Sequence, residues 1–334
     1  MTDAHTHPRP RVGFLGTGWI GRHRMEAILA TGAIEAVAVA DPSPEMAAEA
    51  LKLAPDAKVV GSLDEILEAG VDGVVIATPS AMHAEQSIAA LERGAAVFCQ
   101  KPLGRTAEEA SAVVEAAQRA DRLLGVDFSY RFTEGMRQVR ELVQSGALGR
   151  VYAAELVFHN VWGPDKPWFY DPAQSGGGCV MDLGVHLVDL ALWTLDFPAV
   201  TDVTSRLIAD GEPLAGRTDR VEDYACANLE LETGASVQIA CSWRLQGGRE
   251  AVIEAAFYGT EGGAALRNVN GSFYDFTAER FRGAQSETLA SPPDAWGGRA
   301  AADWAMRLAK GERYDPAAER LVEVSRVLDR IYGR

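Results

Sequence analysis

The chain has 334 residues, 47% of them hydrophobic and 24% charged, and a formal net charge of −15. Its length predicts about two domains. The acidic balance, with no basic cluster to neutralise phosphates, excludes nucleic acid and anionic membranes as natural partners.

Cys99, Cys179, Cys226 and Cys241 are scattered and form no Cys-x-x-Cys pair, so neither a disulfide framework nor a zinc site is expected. Residues 1–10 are polar, and no apolar run reaches membrane-spanning length. The expectation is a cytoplasmic protein that acts on small molecules and holds no metal.

Residues 11–15 read as a short buried strand that runs into Gly16-Thr17-Gly18-Trp19-Ile20-Gly21. A helix over 23–30 follows, then a strand over 34–40 that ends at Asp41. The acid comes 20 residues after the third glycine, the spacing of a dinucleotide-binding fingerprint. Gly16 permits the tight turn, Gly18 lets the backbone approach a pyrophosphate, and Gly21 allows helix and strand to pack closely. The helix N-terminus offers free N–H groups and a positive dipole end to phosphate, and Trp19 and Ile20 of the loop join the glycines as candidate cofactor contacts. Asp41 would accept from the adenosine ribose hydroxyls and repel a 2′-phosphate, which favours NAD over NADP.

The alternation continues. Ser62 to Glu65 is a capping box that opens a helix. Residues 71–77 form a strand ending in Thr78-Pro79-Ser80, and 83–93 a helix. Residues 95–99 form a strand ending in Gln100-Lys101-Pro102. A second capping box, Thr106 to Glu109, opens a helix to about 120, and 123–127 closes the unit at Asp127. Strands alternating with helices predict a doubly wound parallel sheet, a Rossmann domain over residues 1–127. Its ligands lie at the strand exits, where Thr78, Pro79, Gln100 and Lys101 sit beside the glycine loop. Pro102 restricts Lys101 to an extended geometry; a solvated surface lysine is the alternative. His83 reads either as a neighbour of the nicotinamide or as a structural cap.

From residue 128 the pattern changes to a substrate-binding and oligomerisation domain, 128–334. A helix over 133–145 precedes a strand over 151–160. Further strands over 203–208, 223–231, 236–243, 250–258 and 264–269 predict a mostly antiparallel sheet covered by helices. Such a sheet keeps a face for a partner copy, in a homodimer or homotetramer. Helices over 300–309 and 316–332 end the chain, and the last is free to pack back on the first domain.

Between these lies an aromatic loop with Trp162, Trp168, Phe169 and Tyr170. Such rings stack on sugar surfaces or plug an interface. Trp162 and Trp168 are the better cleft candidates, and Phe169 and Trp193 the better core candidates. Then come Gly176, Gly177 and Gly178 and an apolar helical pattern carrying Asp182, His186 and Asp189 at i, i+4 and i+7 on one face. A carboxylate one turn from a histidine can orient a general base. A satisfied core histidine is the other reading, and Asp189 reads as a structural partner in the helix packing.

The glycine fingerprint with Asp41, the Lys101-Pro102 pair, and Asp182 with His186 behind three glycines together resemble the glucose–fructose oxidoreductase / inositol dehydrogenase (Gfo/Idh/MocA) family. The resemblance covers nearly the whole chain. It implies an NAD-dependent oxidoreductase acting on CH–OH groups of a sugar, sugar derivative or cyclic polyol. It also implies that Lys101, Asp182 and His186 line the substrate as the catalytic set, His186 as base and Lys101 on the same oxygen, with the exchange of these two proton roles as the alternative. Asp182 would bind a neighbouring hydroxyl or orient His186. Two positions depart from the family pattern: Gln100 stands where glutamate is usual, and Ser80 where asparagine is common. The lost charge at position 100 is expected to favour the neutral form of Lys101. Two other classes stay open, a non-catalytic dinucleotide or sugar sensor and an NAD-dependent glycoside hydrolase on the same fold.

Overall fold

The computed structural model describes residues 9–216 and 219–334, so residues 1–8 of the polar N-terminal stretch lie outside it. Among the described residues the first half forms a six-stranded sheet. Its strands are β1 (Arg11–Leu15), β2 (Glu35–Ala40), β3 (Lys58–Val59), β4 (Gly73–Ile76), β5 (Ala96–Cys99) and β6 (Leu124–Val126), in the order β3-β2-β1-β4-β5-β6. Every pairing in it is parallel. The order reverses between β1 and β4, the switch point where ligands of open parallel sheets bind.

Helices α1 (Trp19–Ala30), α2 (Pro44–Leu51), α3 (Leu63–Glu68), α4 (Ser80–Glu92) and α5 (Ala107–Ala120) make the crossovers. Both capping boxes form, one residue wider than expected on the return side. Ser62 and Thr106 accept from the N–H of Glu65 and Glu109, and those glutamates accept from Gly61 and Arg105 rather than from the cap residues.

The second half is built on a nine-stranded sheet among the described residues. Its strands are β7 (Val151–Asn160), β8 (Val200–Ala209), β9 (Glu212–Pro213), β10 (Tyr224–Leu231), β11 (Ser236–Ser242), β12 (Ala251–Gly259), β13 (Gly263–Asn268), β14 (Phe276–Arg282) and β15 (Gln285–Ala290). The order is β15-β14-β13-β12-β7-β11-β10-β8-β9, antiparallel except for the parallel pair β7 and β11. Helix α6 (Glu134–Gln144) packs on β13 and β14; after the single turn α7 (Pro172–Ser175), α8 (Val185–Thr194) packs on β7, β11 and β12. Nearly every residue of α8 is buried, because the sheet lies on one side and the last helix, α10 (Glu319–Tyr332), on the other. α10 also packs on α5 of the first layer.

Helix α9 (Arg299–Ala309) returns to the first sheet, against α1, β5 and β6. Its Trp304 is buried against Phe98, with ring centroids 5.9 Å apart. Gly73 and Gly125 make room for the indole: a Cβ on either would lie 2.9 Å from Trp304 atoms. Glycine inside a strand marks such close approach.

Candidate active site

A cavity of about 930 Å³ lies between the two halves. Its floor is the row of strand exits of the first sheet, and its far wall is the segment from Ser175 to His186 with the aromatic loop.

The glycine loop fits a pyrophosphate. Gly16 has φ +82°, and a Cβ on Gly21 would lie 2.1 Å from the Gly16 carbonyl oxygen, so the turn closes only with glycine. A Cβ on Gly18 would meet nothing within 4 Å, and Gly18, Trp19 and Ile20 line the cavity. Helix α1 begins with no side-chain cap and no acidic residue in its first turn, whereas α2, α3, α5 and α6 are each capped by serine or threonine. The N–H groups of α1 are thus left for an anion. Gly16 and Gly21 shape this loop from behind and do not themselves line the cavity. Asp41 is half-buried at the exit of β2. Its Oδ2 accepts from Thr17 N–H at 2.6 Å and its Oδ1 from Ser43 N–H at 2.9 Å, which fastens the glycine loop to β2. Oδ2 also accepts from the Thr17 hydroxyl at 3.3 Å, so Oδ1 is the oxygen that retains a second lone pair for a ribose hydroxyl.

Thr78 and Pro79 line the cavity at the exit of β4. His83 is buried beneath them: its two ring nitrogens lie 2.7 Å from the Thr78 and Pro102 carbonyl oxygens, so the ring is a strut between the β4 and β5 exits. Burial lowers its pKa, and the two carbonyls oppose that shift.

The Lys101–Pro102 peptide is cis. Lys101 Nζ donates to Asp182 Oδ1 and to the Asp182 backbone oxygen, both at 2.7 Å. Asp182 Oδ2 accepts from the Trp243 indole N–H at 3.0 Å. The carboxylate therefore pairs with Lys101 and Trp243, which corrects the expectation that it could orient His186. The physical reason is a π-helical turn over Val180–Gly184 ahead of α8, which interrupts the single α-helical face read from the spacing. The negative charge beside Lys101 is supplied by Asp182, whatever position 100 has lost.

His186 is buried edge-on to the Tyr130 ring, with centroids 4.9 Å apart, and its Nδ1 has no partner among the described residues. Burial first, then the positive charges of Lys101 and Arg24, hold its pKa well below 6.5, so the ring is neutral at neutral pH. Asp189, further along the same helix, is bound by the Arg131 guanidinium and stays out of the cavity lining.

The glycines before this helix are needed for close approach. A Cβ on Gly178 would lie 1.9 Å from the Glu222 carbonyl oxygen, and one on Gly177 1.9 Å from the Tyr332 hydroxyl. The buried Glu222 carboxylate accepts from Gly178 N–H at 3.0 Å, Val180 N–H at 2.9 Å and the Tyr332 hydroxyl at 2.8 Å. A carboxylate at these amides suits the positive end of the helix that carries Asp182 and His186.

The aromatic loop divides differently from the sequence reading. Trp168 lines the cavity, stacked on Phe169 at 3.8 Å, and Phe169 lines it too. Trp162 does not: it is 58% exposed and absent from the cavity wall. The loop bends at Asp165 and Lys166, between the two tryptophans, and the Tyr170 hydroxyl donates to the Pro164 oxygen at 2.9 Å across that bend. Sequence reasoning missed Trp243, Tyr130 and Glu222. Trp243 is the only one with a local signal, a tryptophan at the exit of an apolar strand.

Gln100 is buried and donates from Nε2 to Asp127 Oδ2, which also receives Arg24 Nε at 2.6 Å. Among the described residues no group of three or more His, Cys, Asp or Glu side chains could hold a metal ion, and no helix is long and apolar enough to cross a membrane.

Residues 10–128 match the profile described as an oxidoreductase family with an NAD-binding Rossmann fold, and residues 136–265 match the GFO/IDH/MocA C-terminal domain. The chain is 30% identical over 318 residues to inositol 2-dehydrogenase of Acidiphilium cryptum, covering 87% of this chain and 90% of that protein. It is 33% identical over 238 residues to inositol 2-dehydrogenase 3 of Saccharopolyspora erythraea, over 69% of this chain but only 65% of that protein, just under two thirds. Among solved structures, GenD2 from gentamicin A biosynthesis in complex with NAD has a TM-score of 0.80 at 25% identity, covering 100% of this chain and 97% of the other. Levoglucosan dehydrogenase in complex with NADH and levoglucosan shares the fold, with a TM-score of 0.83 at 24% identity over 97% and 96% of the two chains. The chain belongs to the GFO/IDH/MocA family of NAD-binding oxidoreductases.

Proposed function

We propose that this chain is an NAD-dependent dehydrogenase or reductase. It moves a hydride between nicotinamide and a secondary alcohol or carbonyl of a sugar, sugar derivative or cyclic polyol. The observation that carries this reading is the meeting of the Lys101–Asp182 ion pair with the neutral His186 in the cavity that the uncapped glycine-loop helix also lines. The activities for which the relatives are named, inositol 2-dehydrogenase and levoglucosan dehydrogenase among them, support the substrate class.

When bound, the dinucleotide supplies the carbon that accepts or returns hydride. The chain handles the proton. The neutral imidazole of His186 takes the proton of the substrate hydroxyl, whose acidity rises as hydride leaves the same carbon. Lys101 hydrogen-bonds that oxygen and stabilises the developing alkoxide, held in place by Asp182. In reduction the same ammonium faces the carbonyl oxygen. Asp182, with both oxygens engaged by Lys101 and Trp243, keeps lone pairs for an adjacent hydroxyl. Trp168 and Phe169 offer aromatic faces to the ring C–H surface. Asp41 selects NAD over NADP by its charge. Gly18, Trp19 and Ile20 carry the pyrophosphate on a turn that Gly16 and Gly21 shape from behind, Thr78 and Pro79 the nicotinamide side, and His83 braces them from beneath. The exposed face of the second sheet, alternating along β10, is the surface for self-association.

A panel of sugars and cyclic polyols with NAD, read by NADH absorbance on a preparation whose mass is taken by light scattering, tests this. NADH accumulation with at least one polyol is expected. Glycosidic cleavage without accumulation would favour the hydrolase, and binding with neither would favour the sensor. A strictly monomeric mass would remove the self-association face.

A further inference from the structure

Asp127 stands apart from the reaction just derived, yet it lines the same cavity. It follows β6, with its N–H donated to the Cys99 carbonyl at 3.0 Å, and it is 1% exposed. Its two carboxylate oxygens are treated very differently. Oδ2 receives both Arg24 Nε, from the second turn of α1, and Gln100 Nε2, from the exit of β5. Oδ1 is buried and has no partner among the described residues. A carboxylate is an acceptor only, and a buried charged oxygen left without a donor is costly. Groups of this kind are paired in native proteins, so the donor is expected from whatever fills the cavity.

The order of the sheet says which part of the cofactor that is. Asp41 sits at β2, the glycine loop at β1, Thr78 at β4, Lys101 at β5 and Asp127 beyond them at β6. A dinucleotide with its adenosine at β2 and its pyrophosphate on α1 brings its nicotinamide end to β5 and β6. The ribose lies one unit back toward the pyrophosphate, and the carboxamide is the outermost donor. Gln100 belongs to the same arrangement. A glutamate there would set a second carboxylate against Asp127, whereas the amide supplies a donor that fixes Oδ2 and leaves Oδ1 free.

We propose that Asp127 is a cofactor-binding residue whose Oδ1 accepts a hydrogen bond from the nicotinamide carboxamide N–H₂, with Arg24 and Gln100 positioning it. This rests on the NAD-dependent reading above, and the test separates the two. Equilibrium binding of NAD and of 3-acetylpyridine adenine dinucleotide, which carries a methyl in place of the amino group, is measured by tryptophan quenching without turnover. The wild-type protein is expected to bind NAD about tenfold or more tightly than the analogue, the size of a charge-assisted hydrogen bond. In Asp127→Asn the side-chain oxygen stays with Arg24 and Gln100, so its N–H₂ faces the carboxamide amino group, and the preference should vanish or reverse. A wild-type ratio near one, or an unchanged ratio in D127N, overturns the assignment. A ratio near one combined with weaker NAD binding in D127N transfers the contact to a ribose hydroxyl and likewise overturns it. If D127N does not fold, the wild-type ratio alone decides. Failure of the wild type to bind NAD at all overturns the cofactor reading, and the carboxamide contact with it.

Discussion

Replacing Lys101 by methionine removes one charge and little volume, so it isolates what the ammonium does. In the folded protein Nζ has two acceptors, both on Asp182 and both at 2.7 Å. Its loss leaves the Asp182 carboxylate with the Trp243 indole N–H at 3.0 Å. The two side chains of the ion pair are 18% and 17% exposed, so water can reach the stranded carboxylate. The stability cost is then about 1–2 kcal/mol, below the 3–5 kcal/mol of a fully buried pair broken on one side. The catalytic cost is larger. A preorganised donor aimed at developing oxygen charge is worth about 3–4 kcal/mol, or roughly 10²–10³-fold in turnover. The dinucleotide is held chiefly at α1 and β2, away from this pair, so NADH affinity should change by less than about threefold, under 0.7 kcal/mol. Turnover by NADH absorbance, NADH titration by fluorescence and a thermal melt separate the three quantities. Turnover within tenfold of wild type with intact NADH binding would refute the role of Lys101. A collapse of NADH affinity instead would make Lys101 a cofactor anchor and not a proton-side residue.

Two further outcomes follow from the site. His186 accepts a proton only as the neutral ring, and its pKa is lowered well below 6.5 by burial and by Lys101 and Arg24. The active form therefore persists on lowering the pH through 6.5, and the acid limb of alcohol oxidation should appear only below it; a limb at or above 6.5 in the pH–rate profile would contradict this. Gly21→Ala places a methyl 2.1 Å from the Gly16 oxygen and 3.2 Å from Ala77 Cβ. The loop must open, with about 1–3 kcal/mol of stability lost and NADH binding weakened about tenfold or more, a change of some 1.4 kcal/mol; unaltered affinity in a folded variant would show that the turn does not shape the phosphate site.

The first sheet was legible because its rules are local. Strand, glycine loop, helix, strand and acid follow one another within about thirty residues, and each has its own signature in turn geometry or capping. The same holds for Lys101, fixed by position after β5. Features made by distant partners were not legible. Trp243 reaches Asp182 from the exit of β11, across 61 residues, and Glu222 reaches Gly178 and Val180 across 44 and 42 residues. The π-turn was invisible because the spacing of Asp182 and His186 suits an ordinary α-helix, and the extra residue per turn is imposed by packing. Trp162 lies exposed outside the cleft, and Phe169 packs on the core as expected but lines the cavity too, because hydrophobic type says that a ring is buried by something, not which side of a turn it leaves. Strands β14 and β15 were missed for a related reason. They form the outer edge of the second sheet, where charged residues such as Glu279, Arg280 and Arg282 interrupt the apolar alternation. Such charges also discourage edge-to-edge pairing.

Trp304 lies between Gly73 and Gly125 although it comes from α9, beyond the whole second sheet in the chain. On the ribosome, the strands that hold the glycine loop and the helix α1 that packs on them are made first, but the part of that apolar face that α9 covers stays open until synthesis has passed residue 309. The nucleotide layer thus cannot finish folding as an early, independent unit in the way N-terminal domains commonly do. Its completion is tied to that of the substrate half, and a nascent chain stalled within the second sheet would present an open apolar surface to chaperones.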